Sequence, residues 1–386
     1  MDQIRVGIVG LGGMGSFHAQ YLLKGEVPGA KLTAVADVAP DRLAWAKANL
    51  GDGIQTFDSA EALLAAGAVD GIIIATPHYF HPPIAVQAFE RGVHALSEKP
   101  AGVYTRQVRE MNEAATRTGR VFAVMFNQRT VPVYQKLKEL LESGELGPMK
   151  RSVWIITNWY RAQSYYDSGG WRATWAGEGG GVLINQCPHN LDIWQWICGM
   201  PRRVRAFVSF GKHHDIEVDD DATAYVEYPN GATGLFVTTT GEAPGTNRLE
   251  ITGDNGKIVL EDNSLTFWRT RVPVSQHIRD YKGGFGEPEC WKCDIPVRSG
   301  GGGHPLITKS WVDAILKGTP LAAPGQEGIN SLQISNAMLL SAWTDAWVDL
   351  PVNEDLFYDK LQERIRTSAS KKAAGKTLSV DGTFGV

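Results

Sequence analysis

Two rhythms of apolar and polar residues divide this chain. Up to about residue 126, short apolar runs alternate with segments whose apolar residues recur every three or four positions, the signatures of buried strands and amphipathic helices. The pattern predicts strands over 4–9, 32–36, 71–75, 94–96 and 121–126, and helices over 16–24, 41–49, 83–91 and 105–118. Such alternation gives an α/β unit with a parallel, doubly wound sheet of the Rossmann kind. After a helix over 133–143 the rhythm changes to period two, rich in β-branched and aromatic residues, over 150–158, 203–210, 221–228, 232–240, 248–252, 257–261 and 264–268. Asn230-Gly231 and Asn255-Gly256 supply hairpin turns, and helices are expected over 181–198, 305–317 and 328–348. The second unit therefore reads as an α+β domain built on a large, open, mainly antiparallel sheet.

The boundaries that follow are 1–126 for the first domain, 127–367 for the second, and a solvated arm over 368–386 that carries no chemistry. A broad sheet with helices on one face needs a cover for the other. A partner subunit's matching sheet is the expected cover, making the protein a homodimer or homotetramer.

Composition narrows the function. In a chain of 386 residues that is 43% hydrophobic, two large cores can form. A net charge of -4 gives no electrostatic ground for binding nucleic acid or an anionic membrane, and no apolar run nears the ~18 residues of a membrane span. The start, Met-Asp-Gln-Ile-Arg, enters a strand without the apolar core of a signal peptide, so a cytoplasmic location is expected. Four cysteines do not make a disulfide framework, and Cys187 and Cys198 fall in an apolar stretch where buried thiols are common. Cys290-x-x-Cys293, with His304 eleven residues on, raises a zinc site, but no second C-x-x-C completes it and no metal is expected.

Ligands of a doubly wound sheet bind beyond the carboxyl ends of its strands, and there the chemistry gathers. Gly10, Gly12 and Gly15 form a Gly-x-Gly-x-x-Gly turn between the first strand and helix, with Gly13 and Met14 inside it. The turn brings a pyrophosphate to the unpaired N–H groups of the helix. Asp37, at the end of the second strand, suits the hydroxyls of an adenosine ribose and would repel a 2′-phosphate, favouring NAD over NADP. The same rim receives Thr76-Pro77-His78 with His81, Glu98-Lys99-Pro100, and Asn127-Gln128-Arg129.

Three places offer groups for moving a proton and a hydride. Lys99 directly follows a buried strand, where an ammonium can steady a developing alkoxide or simply reach solvent. Asn185, His189 and Asp192 are spaced i, i+4, i+7 behind three glycines, which puts them on one face of the expected helix. Histidine suits general base and acid work near neutrality, and Asp192 is as readily a structural partner as a catalyst. Trp171-Arg172 lies among Trp154, Trp159, Tyr160, Tyr165, Tyr166 and Trp175, flat faces fit for a carbohydrate ring or equally for an ordinary core.

In combination, the glycine turn, Asp37, Thr76-Pro77 with His81, Glu98-Lys99-Pro100 and the block from Gly179 to Asp192 resemble the Gfo/Idh/MocA oxidoreductases from residue 4 to about 350. The resemblance implies oxidation or reduction of a ring carbon of a sugar, glycoside or inositol with NAD or NADP, with Lys99 and His189 carrying the reaction; Asn185 is expected to orient the reacting carbon. It places the cofactor against Gly10, Gly12, Gly13, Met14, Gly15, Asp37, Thr76, Pro77, His78, His81, Glu98, Lys99, Asn127, Trp171 and Arg172. Substrate contacts are expected from Lys99, Gln128, Tyr160, Arg172, Asn185, His189 and His304. Many inositol and sugar dehydrogenases of the group have aspartate where this chain has Asn185, and an amide can orient a hydroxyl but cannot take its proton. Two other functions share these motifs. One is a glycosidase that keeps its NAD, oxidising the sugar transiently and eliminating the aglycone. The other is a nucleotide-binding transcriptional sensor, against which stand the intact Lys99 and His189 and the absence of a basic DNA-binding segment.

Overall fold

The computed structural model of the protein describes residues 2–368. Its first half runs β1 (Ile4–Val9), α1 (Gly13–Leu23), β2 (Ala30–Ala36), α2 (Pro40–Asn49), β3 (Gln55–Phe57), α3 (Ala60–Ala65), β4 (Gly71–Ile74), α4 (His81–Glu90), β5 (His94–Ser97), α5 (Thr105–Thr118) and β6 (Phe122–Val124). These six strands form one parallel sheet in the order β3-β2-β1-β4-β5-β6, the Rossmann arrangement. All of β4 and all but one residue of β1 are buried, which is why they read as unbroken apolar runs.

The remainder runs α6 (Pro132–Glu142), β7 (Met149–Ile156), α7 (Gln163–Asp167), α8 (Pro188–Cys198), β8 (Arg203–Phe210), β9 (Asp219–Glu227), β10 (Thr233–Thr239), β11 (Asn247–Gly253), β12 (Gly256–Glu261), β13 (Ser264–Thr270), α9 (Val274–Asp280), β14 (Cys290–Ile295), α10 (His304–Lys317), α11 (Gly328–Thr344), β15 (Val348–Asp349) and α12 (Glu354–Thr367). Nine strands pair in the order β14-β13-β12-β11-β7-β10-β9-β8-β15. Every pairing is antiparallel except β10 with β7. Trp154 and Phe236 of this sheet pack with Tyr134 and Trp194 from α6 and α8. The opposite face presents Val153, Ile155, Leu235 and Val237, partly open, with Phe207 and Tyr225 exposed.

Several elements depart from the periodicity. β3 and α3 are too short to establish a period, and α9, α12 and β14 occupy segments with no expected element. Cys290 and Cys293 lie on β14, the edge strand, where positions three apart point to opposite faces. The helix expected over 181–198 begins only at Pro188. Proline has no N–H to give and favours the first helical position, so it marks the start. The helix expected to reach residue 348 ends at Thr344, where Asp345 takes a left-handed φ of 49°. The arm expected from 368 onward lies outside the described residues except for Ser368, whose hydroxyl accepts the Ala176 N–H at 3.1 Å.

Late in the chain, α10 returns to cover the first sheet. Trp311 is fully buried and rests on Gly71, where a Cβ would come within 2.6 Å of the indole. A second tie is ionic: Arg129, just after β6, gives Asp192 of α8 two bonds, from Nε at 2.7 Å and Nη2 at 2.6 Å, while Nη1 reaches Glu327 at 2.5 Å. Asp192 is thus a structural partner. Arg129→Met should leave that carboxylate buried without its cation and cost about 3–5 kcal/mol. A lowered denaturant midpoint would show this, and an unchanged midpoint would contradict it. Among the described residues no helix is long and apolar enough to cross a membrane.

Candidate active site

The glycine turn is closed on its inner side and open on its outer one. Gly10 has φ +91°, and a Cβ there would lie 2.7 Å from the Ala75 carbonyl oxygen. A Cβ on Gly15 would lie 1.8 Å from the Gly10 carbonyl oxygen, whereas one on Gly12 would meet nothing within 4 Å. That open flank lets a phosphate approach the backbone at the start of α1, which Gly13 and the half-buried Met14 begin. Asp37 accepts the N–H of Leu11 at 2.6 Å and of Ala39 at 2.8 Å, and its remaining lone pairs are left for ribose hydroxyls. Thr76 Oγ1, Asn127 Oδ1 and Gln128 Oε1 are buried without partners among the described residues, polar atoms at the same rim that a ligand can satisfy. These residues fit a dinucleotide. Arg42, which sequence reasoning passed over, braces the turn through Leu11 O at 2.6 Å and Ser16 Oγ at 2.7 Å. Its signal was a cation five residues beyond Asp37.

Below the turn, Glu98 is the hub of a buried chain. Its Oε1 accepts His18 Nε2 at 2.7 Å, and Oε2 accepts the Lys99 N–H at 3.1 Å. His18 Nδ1 meets Tyr21 Oη at 2.5 Å, and Tyr21 meets Thr308 of α10 at 2.7 Å. Burial pushes the Glu98 carboxyl up, but the bond and charge of His18, with His304 and Lys99, outweigh it and bring it down to about 2. His304 opens α10 rather than sitting in the glycine loop before it. It packs edge-on to Phe17 and His18 at 5.4 and 5.9 Å, and burial lowers it to about 4.

Lys99 crosses to the second domain, its Nζ donating to the Asn185 carbonyl at 2.8 Å. Burial, and after it Arg161 and Arg172, lower its pKa against the pull of Glu98 and Glu178. His189, near the start of α8, stands beside Phe126 at 6.4 Å with its Nδ1 unpartnered among the described residues. Burial, then the charges of Lys99 and His304, hold it well below the usual imidazole range, so the ring is neutral at neutral pH. Lys99, His189, His304 and Glu98, scattered over two hundred positions of sequence, thus lie near enough for their charges to interact.

The aromatic segment around Trp171 is tied to the first domain. His78 donates from Nδ1 to the Glu178 carbonyl at 3.1 Å and meets Trp171 at 5.4 Å, and Tyr79 donates to the Trp175 carbonyl at 2.7 Å. Behind Pro77, both ring nitrogens of His81 face backbone carbonyls, of Pro100 and Thr76, each at 2.7 Å, so the side chain ties two rim loops together. Arg172 lies over Tyr165 and Trp171 and donates to Tyr165 Oη at 2.8 Å. Tyr160 stays 52% exposed, its carbonyl taken by Arg161 at 2.8 Å. Asn185 lies in the turns before α8 rather than on the helix, its Nδ2 bonded to Glu178 and its Oδ1 3.5 Å from Tyr165 Oη. Asp219 of β9 shapes those turns by accepting the N–H groups of Gly181 at 2.7 Å and Leu183 at 2.8 Å. Sequence reasoning missed Glu178 and Asp219. A lone carboxylate between glycines was the signal for one, and an Asp-Asp-Asp run in a strand for the other.

No group of three or more His, Cys, Asp or Glu side chains among the described residues could hold a metal ion. The arrangement suits proton transfer at a hydroxyl beside a dinucleotide. Comparison with known proteins identifies the family. Residues 4–126 match the model of the oxidoreductase family with the NAD-binding Rossmann fold, and residues 134–259 match that of the GFO/IDH/MocA C-terminal domain. The rhizopine catabolism protein MocA of Rhizobium meliloti is 30% identical over 61% of this chain and 71% of its own length. The NAD(+) scyllo-inositol 2-dehydrogenase of Bacillus subtilis is 27% identical over 75% of this chain and 83% of its own. The WlbA dehydrogenase of Bordetella pertussis, solved with NADH and UDP-GlcNAcA, superposes with a TM-score of 0.77 at 26% identity, over 91% of this chain and all of that one. Motifs, fold and relatives agree: the chain belongs to the GFO/IDH/MocA oxidoreductases and carries their NAD-binding Rossmann domain.

Proposed function

We propose that this protein oxidises a secondary hydroxyl of a sugar, glycoside or cyclitol ring, or reduces the corresponding ketone. The observation that carries the reading is the Lys99 side chain crossing from the end of β5 to the Asn185 carbonyl of the second domain, four residues before His189. His189 removes the hydroxyl proton, and the Lys99 ammonium, fixed on the Asn185 carbonyl, steadies the oxygen as charge develops. NAD, when bound, supplies the hydride acceptor. Gln128, whose Oε1 has no partner among the described residues, and Arg172, stacked over Trp171, are assigned to the substrate ring. A relative named for scyllo-inositol and one solved with UDP-GlcNAcA support a polyhydroxylated ring without selecting one. The experiment is an absorbance screen at the reduced-nicotinamide band with NAD or NADP against monosaccharides, glycosides and inositols. Cofactor binding with no turnover of any of them would sink the proposal.

Preference for NAD is assigned to Asp37. Asp37→Ala should weaken NAD about tenfold, by the loss of hydrogen bonds to a charged group, and weaken NADP less because a repulsion goes with it. Titrating both dinucleotides against the variant checks this, and an unchanged NAD-to-NADP ratio would mean another group reads the ribose. The partly open face carrying Phe207 and Tyr225 is assigned to a second copy of the chain, in a homodimer or homotetramer. The compartment proposed is the cytoplasm.

A further inference from the structure

Glu178 is a buried carboxylate held almost wholly by amides. Its side chain is 2% exposed, and the cation nearest to it among the described residues, Arg172 Nη1, is 3.8 Å away. Oε2 accepts the Ala173 N–H at 2.6 Å, and Oε1 accepts the Asn185 Nδ2. We infer that Glu178 is a positioning residue that locks the Asn185 side-chain amide with its oxygen, not its nitrogen, toward Tyr165 and the reaction cavity. The inference rests on the reading of that cavity as a dehydrogenase site.

Both Glu178 oxygens accept, Oε2 from the Ala173 N–H and Oε1 from the Asn185 Nδ2, so the amide nitrogen faces Glu178 and the amide oxygen faces away; burial raises the Glu178 carboxyl, and the Arg172 charge and these two bonds oppose that rise. That oxygen lies 3.5 Å from Tyr165 Oη. The phenol oxygen already receives N–H groups from Arg172 at 2.8 Å and Gln186 at 3.3 Å, which fill its two lone pairs. Its own hydrogen therefore has the Asn185 oxygen as its destination. The backbone carbonyl of the same residue receives Lys99 Nζ. Asn185 thus turns two acceptor oxygens to the site, one for the ammonium and one for a hydroxyl. An acceptor is kept at the position where an aspartate would place a second titrating charge beside Lys99.

Glu178→Gln isolates this role. The glutamine oxygen can still accept the Ala173 N–H, so the loop bond survives, but its NH2 now faces Asn185 and the amide must turn over, presenting a donor to Tyr165. We expect kcat to fall about 10- to 100-fold through misorientation, with the NAD dissociation constant and the thermal midpoint unchanged. Asn185→Asp alone sets two carboxylates against each other and falls likewise. The double variant restores a donor at 178 and an acceptor at 185 and should recover most of kcat. A residue that merely packs would give a near-normal E178Q and no recovery in the double variant. A readout independent of turnover is the 15N side-chain amide resonance of Asn185, identified as the asparagine signal lost in N185D. It should shift in E178Q. An unmoved resonance, an E178Q enzyme as fast as wild type, or a double variant no better than either single change would each overturn the inference. If wild type turns over no ring substrate, the dehydrogenase reading fails while the resonance still decides the orientation of the amide.

Discussion

Replacing His189 with alanine is expected to lower turnover by about 10²- to 10⁴-fold, the usual contribution of a positioned general base, while leaving NAD affinity close to that of wild type. The separation follows from placement. His189 stands at the start of α8 beside Phe126, on the second domain, whereas the open flank of the glycine turn and Asp37 belong to the first. The pH profile carries a second signature. Because burial holds the imidazole well below its usual range, the neutral base persists into acid, and the acid limb of kcat/KM should lie below the ordinary histidine value. Stopped assays of turnover and a fluorescence titration of dinucleotide binding measure the two halves separately. Retained turnover in the alanine variant would remove His189 from the chemistry.

Lys99→Met should be of similar size, about 10²- to 10³-fold in kcat, the magnitude found when a preorganised donor to a developing oxyanion is removed. Methionine keeps much of the length and apolar contact of the lysine stem, so the loss reports the ammonium. Burial lowers the Lys99 pKa, and the neighbouring Arg161 and Arg172 lower it further. The ammonium is therefore lost as pH rises through a value below the ordinary 10.5, and the alkaline limb of the wild-type profile should begin early. Methionine at 99 should abolish that limb. Its persistence would assign the alkaline ionisation to another group.

Much of this architecture is legible in residue order alone. The periodicity shows every strand of the parallel sheet but β3, which has three residues, and the change to a mostly antiparallel sheet follows from the shift to period two at β7. Lys99 and the glycine turn announce themselves because each follows the end of a strand, and His189 because its spacing from Asn185 and Asp192 reads as one helix face. What the order hides is side-chain pairing across distance. Glu98 looks like a cofactor neighbour, yet its oxygens are taken by His18 and the Lys99 amide. Asn185 looks helical by spacing, but Pro188 starts the helix and Asp219, 34 positions on, shapes the turn in between. Glu178 meets Asn185 only because three glycines let the chain fold back within seven residues.

The return of α10 onto the parallel sheet makes the nucleotide half a poor free-standing module. Cut after residue 126, it would lose the indole of Trp311 over Gly71 and the Thr308 end of the His18 chain, baring an apolar trough to water. Shuffling such a half between scaffolds would require carrying a helix from nearly two hundred positions downstream, so recombination in this architecture should favour exchange of surface loops over exchange of whole halves.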